Sequence, residues 1–291
     1  MLGETPPFVF ALIAAILFAF GIQIQNIGLS QVDSRTGTAI SIAASAAFYW
    51  MLAPFLLNGE HWQHSAVFIF VLVGLFRPSV SANLAVAGMR YLGPTLSMTL
   101  SSTSPLFGVA FGVLWLHESL TLPVVAGTFG IIFAVLILSK RSRNAVESWP
   151  VWALGLPIGA AAVRSLSHVL SKIGMVDIPD PYFVGLVCFS VSALVTIATN
   201  RIGNTSRPIS WRQRGPYWFA LSGLFMATAI LCLNTALLNG DIITVIPIVA
   251  SAPIFTMLFS ILIFRREHLT RRVVVAVLIV VLSVILIALN Q

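Results

Sequence analysis

The sequence predicts an all-α membrane protein: ten transmembrane helices arranged as two inverted five-helix repeats around a central cavity. Three observations carry that expectation. The 291-residue chain is 58% hydrophobic and only 9% charged, whereas a soluble domain carries roughly a quarter of its residues as charges. Apolar runs long enough to cross a bilayer recur ten times, and basic residues crowd onto alternate connections. A chain this poor in charge cannot cover a water-facing surface, which excludes a soluble enzyme, a nucleic-acid binder and a disordered protein. Ten spans of about 20 residues use roughly 200 positions, so no folded extramembrane domain fits in the remainder.

The runs cover 8–30, 36–57, 66–89, 95–116 and 122–139 in the first half, and 152–172, 181–199, 216–238, 242–264 and 273–289 in the second. The segment before the first run holds Glu4 and no Lys or Arg. It lacks the basic region of a signal peptide, so the first run is expected to stay as a helix. Pro123, Pro181 and Pro216 sit where a first-turn proline costs nothing. Gly108-x-x-x-Gly112, Ala126-x-x-x-Gly130-x-x-x-Ala134 and Gly155-x-x-x-Gly159 allow close helix contact. The last run is branched and apolar throughout, which suits a lipid-facing position. Cys188 and Cys232 lie inside apolar runs and read as packing residues, not a disulfide or metal pair.

The two halves, 1–140 and 141–291, look like copies. His117-Glu118-Ser119-Leu120-Thr121 joins the fourth and fifth runs, and Arg266-Glu267-His268-Leu269-Thr270 joins the ninth and tenth. Upstream, Ser104-Pro105 matches Ala252-Pro253, and Gly93-Pro94 matches Gly240-Asp241. Three features thus fall in register 147–149 residues apart. Of the 16 Lys and Arg residues, 13 fall in the connections after the first, third, fifth, seventh and ninth runs. Arg77 and Arg164 lie within runs, and Lys172 alone falls on the opposite side. The positive-inside rule therefore puts the first set in the cytoplasm and both termini outside, in a plasma (inner) membrane. Five is odd, so the second copy enters the membrane upside down, as in alternating-access carriers.

Ten spans as five plus five, closed by Glu118-Ser-Leu-Thr121 and Glu267-His-Leu-Thr270, resemble the drug/metabolite transporter superfamily, EamA branch, over essentially the whole chain. Within it, the sequence is most similar to YddG-type exporters of aromatic amino acids. The resemblance implies that the first four helices of each half line a central cavity, with the fifth and tenth peripheral. Some members of the superfamily place their termini in the cytoplasm; the charges of this chain place them outside.

Charged and polar groups within spans are the first functional candidates, because a charge at mid-bilayer costs several kcal/mol by most scales. Arg164, His168 and Lys172 recur at every fourth residue, beside Ser167 and Ser171, and make a polar stripe on the sixth run. The competing reading is that Arg164 and Lys172 snorkel to an interface; it suits Lys172 better than the deeper Arg164. Gln23, Gln25, Asn26 and Ser30 occupy the corresponding run of the first half. Arg77 precedes Pro78, Ser79, Ser81 and Asn83; that proline frees a backbone carbonyl which neighbours must satisfy. The fourth run is dense in hydroxyls, with Ser97, Ser101 and Ser104 on one face. Serine in such a helix also packs or bonds its own turn, so only the cluster counts. Tyr49, Trp50 and Asn234 are further cavity candidates. Pro78, Pro105, Pro247 and Pro253 are hinge candidates or fixed kinks.

All nine acidic residues fall in connections or at helix ends. An exporter of lipophilic cations would need a buried carboxylate, whereas Arg77 and Arg164 can pair with one. A zwitterionic or anionic small metabolite is therefore favoured over a cation, and His168 is the one plausible titrating group inside the bundle. The expected function is export of amino acids, aromatic ones among them, and similar metabolites by alternating access. The expected protein has no cofactor, metal or nucleic-acid partner; a monomer is compatible with the sequence, which does not set the oligomeric state. A lipid flippase of the same fold is the alternative. A membrane-embedded enzyme is disfavoured by the lack of Gly-x-Ser-x-Gly, His-Glu-x-x-His, paired intramembrane aspartates or a phosphate loop.

Overall fold

The computed structural model of the chain describes residues 5–81, 84, 87–88, 91–92, 97, 100–139, 150–202, 213–263 and 271–289. Every regular element among them is helical. The first half forms α1 (Pro7–Gly28), α2 (Ser34–Leu56), α3 (Ala66–Leu75), α4 (Ser104–Leu116) and α5 (Leu122–Ser139). The second forms α6 (Gly155–Asp177), α7 (Pro181–Ile202), α8 (Gly215–Asn239), α9 (Ile242–Val249), α10 (Ala252–Leu262) and α11 (Arg271–Ala288). Six segments are long and apolar enough to cross a membrane, α9 and α10 counting as one, and four shorter helices are apolar as well. Large apolar side chains such as Phe55, Phe68, Leu194 and Leu282 are exposed, which a bilayer tolerates and water does not.

Prolines interrupt three of the predicted runs. The run at 66–89 does not continue as one α-helix: α3 gives way to a wide turn at Phe76–Val80, where Arg77 leaves helical space at φ −126°, ψ 129°. The cause is local, because a residue before proline is pushed toward extended backbone. The runs at 95–116 and 242–264 break at equivalent places. Pro105 cannot donate to Ser101 and Pro253 cannot donate to Val249, so a tighter turn intervenes. Thr103 bonds Leu100 O through both its N–H and its hydroxyl, and Leu106 N returns to Thr103 O. Ser251 does the same with Ile248 O, and Ile254 N returns to Ser251 O. Pro105 and Pro253 thus sit in the first turns of α4 and α10, and Pro247 lies within α9.

Packing crosses between the halves. The first helix, α1, lies on α8 and α10, while α6 lies on α3 and α4; α2 pairs with α7 and α8, and α3 with α7. The remaining pair, α5 and α11, pack on one another. A β-carbon at Gly127 would meet Ile287, and one at Gly130 would meet Ser283. The opposite side of α11, including Leu278 and Leu282, is exposed. Gly108 and Gly112 press against Ile246 and Ile243 of α9, as close-contact glycines should. The third stripe departs from expectation. A β-carbon at Gly155 would meet nothing within 4 Å among the described residues, and one at Gly159 only Leu84 at 3.8 Å.

Candidate functional site

The break after α3 leaves Gly74 O without its usual donor, because residue 78 is a proline, and α7 supplies a hydroxyl to it and to Arg77 O. Ser192 Oγ lies 2.7 Å from Gly74 O and 2.7 Å from Arg77 O, so one proton serves two acceptors. One turn earlier, Cys188 Sγ contacts Phe70 O at 3.4 Å. This is the compensation that a helix interrupted inside a bilayer requires. It also fixes the backbone that carries the Arg77 guanidinium.

From there Arg77 reaches across to α6, where its Nη1 lies 3.0 Å from His168 Nδ1. A guanidinium can only donate, so His168 Nδ1 accepts, its proton sits on Nε2, and the imidazole is neutral in this arrangement. Arg164, one turn before His168, adds a second positive charge to the field at both groups. Among the described residues, no acidic side chain is paired with either arginine. No Asp or Glu occurs between Glu60 and Glu118 or between Glu147 and Asp177 in the sequence. Lys172 and His61 do form ion pairs, with Glu118 and Asp241 and with Asp180 respectively.

A cavity of about 230 Å³ adjoins this cluster, the volume of roughly seven or eight liquid waters. Arg77, Gln25, Ser171 and Asn234 line it together with Ser41, Ser45 and Ser192. Its walls are otherwise mainly apolar: Phe18, Ile42, Val73, Phe189, Met226 and Ile230. The serine hydroxyls are already engaged, Ser171 donating to Ser167 O at 2.9 Å and Ser45 approaching Gly223 O at 2.7 Å and Ser41 O at 2.9 Å, and Thr38 adds a further hydroxyl to the lining. Asn234 donates to Pro181 O at 3.2 Å and keeps its carbonyl oxygen. Gln25 reaches Ser41 Oγ only at 3.4 Å.

The remaining candidates scatter. Tyr49 is fully buried and donates to Ala227 O at 3.0 Å, clamping α2 to α8. Asn26 is exposed, one position off the stripe that carries Gln25. Ser81 and Ser97 are buried. Ser101 and Ser104 do not continue one helical face, because the chain turns at 102–103 between them. Ser104 instead pairs with Ser165, whose hydroxyl lies 2.7 Å from Ser104 O. Asn83 lies outside the described residues. Trp50 is half exposed and donates to Ser190 Oγ at 2.9 Å.

Lys172 does not simply snorkel. Its Nζ donates to Glu118 Oε1 at 2.7 Å and to Gly240 O at 2.8 Å. The same carboxylate accepts from Ile242 N at 2.9 Å and Ile243 N at 3.0 Å, capping α9. An anion there satisfies two orphan donors and meets the positive end of the helix. His117, left-handed at φ 54°, ends α4 and turns Glu118 back toward it. A β-carbon on Gly112 would lie 2.9 Å from Glu118 Oε2, so that glycine makes room for the carboxylate. Among the described residues, no group of three or more His, Cys, Asp or Glu is placed to hold a metal.

No curated protein matches this chain in sequence. A solved crystal structure superposes on it with a TM-score of 0.81, at 14% identity, covering 98% of this chain and 96% of its own. That likeness speaks for the fold alone. The model of the EamA-like transporter family matches twice, over residues 5–140 and 151–289. The chain is therefore a multi-pass membrane protein that belongs to the EamA-like transporter family, whose members move small molecules across membranes.

Proposed function

We propose that the protein exports small anionic or zwitterionic metabolites by alternating access, amino acids and the aromatic ones among them. The observation that carries this reading is Arg77 on the cavity wall, with Arg164 one turn from its partner His168 and no acidic residue in either of the segments that bear them. A cationic drug would meet repulsion there, and a carboxylate finds a guanidinium fork suited to it. The aromatic preference rests on the resemblance to YddG-type exporters; the apolar lining is compatible with it.

Ten spans in two inverted repeats, divided near residue 140, underlie the proposal, and the side-chain contacts support them. The connection after α4 meets those after α6 and α8, where Glu118, Lys172, Gly240 and Asp241 come together. The short helix at Gly59–Gln63, after α2, meets the start of α7 through His61 and Phe183. On the other face, Gln31 after α1 accepts from Gly215 after α7, and Arg35 donates to Thr199 O near the end of α7. These contacts put the connections they involve into two groups, which supports an alternating, ten-crossing path. Five crossings per repeat reverse the second repeat. The Lys and Arg bias supports termini on the extracytoplasmic side.

Liposomes holding only this protein should take up labelled amino acids or related carboxylates. Arg77→Ala should cut uptake at least tenfold and Arg164→Ala severalfold, with both variants still monodisperse in detergent. Wild-type rates in both would sink the cavity assignment. Lipid scrambling without solute uptake would turn the reading toward a flippase.

A further inference from the structure

We infer that the cavity selects an apolar monocarboxylate without an ammonium group over the α-amino acid of the same skeleton. This deepens the transport reading above and rests on it for the site's purpose, though its geometry stands alone. The argument begins with charge. Arg77, at the break after α3, puts a guanidinium on the cavity wall, Arg164 of α6 lies one turn from its partner His168, and His168, neutral as it accepts from Arg77, contributes no further charge. A carboxylate entering there supplies a counter-charge that no described residue pairs with Arg77. Buried cations without a partner are strongly unfavourable in a bilayer, so the occupant's negative charge is the largest single attraction that the site offers.

An α-ammonium would sit within a few ångströms of that carboxylate, inside the same positive field. The groups available to it are dipoles: the carbonyl oxygen of Asn234, the amide of Gln25 and hydroxyl oxygens whose protons are already committed to backbone carbonyls. None carries the formal negative charge that would offset two arginines. The remaining walls are Phe18, Ile42, Phe189, Met226 and Ile230, which suit an aryl or branched alkyl body. At about 230 Å³ the cavity takes one such body rather than a lipid. A single carboxylate on an apolar body matches the guanidinium and the apolar walls of that lining.

The test uses the purified full-length protein in detergent and four probes that share one skeleton: 3-phenylpropionate, phenylalanine, 3-phenylpropanamide and 2-phenylethylamine. Dissociation constants come from ligand-dependent thermal stability or titration calorimetry. The expected order places 3-phenylpropionate at least tenfold tighter than phenylalanine, with the neutral amide and the amine weaker still. Arg77→Gln should bring the carboxylate and the amide to within a factor of three. Arg77→Lys, which keeps the charge and loses the fork, should weaken the carboxylate but preserve its lead over the amide. Phenylalanine binding as tightly as 3-phenylpropionate, or the amide matching the carboxylate, overturns the inference. Uptake of phenylalanine into liposomes with no such ranking removes this inference and leaves transport standing. The ranking without uptake supports the selectivity and removes transport.

Discussion

In the two repeats α3 and α8 occupy the same register, and they are held by the same bond. Ser192 of α7 lies 2.7 Å from Gly74 O of α3, and Ser45 of α2 lies 2.7 Å from Gly223 O of α8. The pairs fall 147 and 149 residues apart, within the offsets seen among the three matched sequence features. Three residues beyond each glycine the helices diverge. In α8 the chain runs on through Met226 and Ala227 as continuous helix to Asn239. After α3 it meets Arg77-Pro78 and leaves helical space. Met226 and Arg77 both line the cavity, so one repeat presents a thioether where the other presents a charge on an interrupted backbone. A duplicated scaffold needs only one broken helix to become asymmetric, and the break is where the binding chemistry sits.

The largest effect is expected where one repeat takes a charge from the other. Glu118→Ala removes the acceptor for Lys172 and for two N–H groups at the start of α9. Glu118 is buried, but Lys172 is partly solvated and keeps Asp241 at 3.7 Å. The loss should therefore sit near the low end for a broken buried pair, about 3 kcal/mol, read as a large drop in apparent Tm in detergent. Glu118→Gln, which still accepts from the backbone, should recover part of it. Equal Tm for all three proteins would show that the contact is incidental.

Next come the two glycines. A β-carbon at Gly223 would lie 2.4 Å from Ser41 O, a backbone atom, while one at Gly74 would lie 2.8 Å from Val191 Cβ and 2.9 Å from Cys188 O. Overpacking costs about 1–3 kcal/mol. Gly223→Ala belongs at the top of that range and Gly74→Ala lower, because the segment after Gly74 is already interrupted and can shift. The reverse order in thermal unfolding would mean that α8 is the more pliable of the two.

Much of this arrangement is legible in the residues alone. The apolar runs, their division near residue 140 and the duplicated Glu-x-Leu-Thr motif follow from composition and spacing. So does the expectation that Pro78 strands a carbonyl. The identity of the rescuer does not: Ser192 lies 115 residues from Arg77, and a lone serine in an apolar run has several uses unrelated to a neighbouring helix. Glu118 stood out as a motif residue, yet its role as a cap depends on a helix that starts 124 residues later. The fourth-run serines misled for a different reason. Ser97, Ser101 and Ser104 share a face only if the helix is continuous, and the turn before Pro105 ends that periodicity. Local sequence sets the run and the break, whereas packing across the halves decides which polar atoms meet.

The matched serines sharpen the comparison further. An interhelical hydrogen bond in a membrane protein averages about 0.6 kcal/mol and rarely exceeds about 1.7, so Ser45→Ala and Ser192→Ala should destabilise the protein by similarly small amounts. Their effects on uptake should differ. Ser192→Ala releases Arg77 O as well as Gly74 O, leaving the arginine backbone free to wander, and should reduce uptake about tenfold. Ser45→Ala leaves Arg77 untouched and should stay within a factor of two. Equal loss in both would place the function of these hydroxyls in the cavity lining rather than in positioning Arg77.

The smallest effect tests helical register on α1, where neighbouring polar residues face different surroundings. Gln25 lines the cavity, whereas Asn26 is exposed. Asn26→Ala should leave stability within about 0.5 kcal/mol and uptake unchanged. Gln25→Ala should raise the apparent KM severalfold with little change in maximal rate, as expected when a group binds the resting and moving states alike. A KM change at Asn26 with none at Gln25 would mean that α1 turns its other face to the solute. The cavity would then have to be redrawn on that side, with Arg77 still facing it from α3 but Phe18 and Gln25 no longer its neighbours.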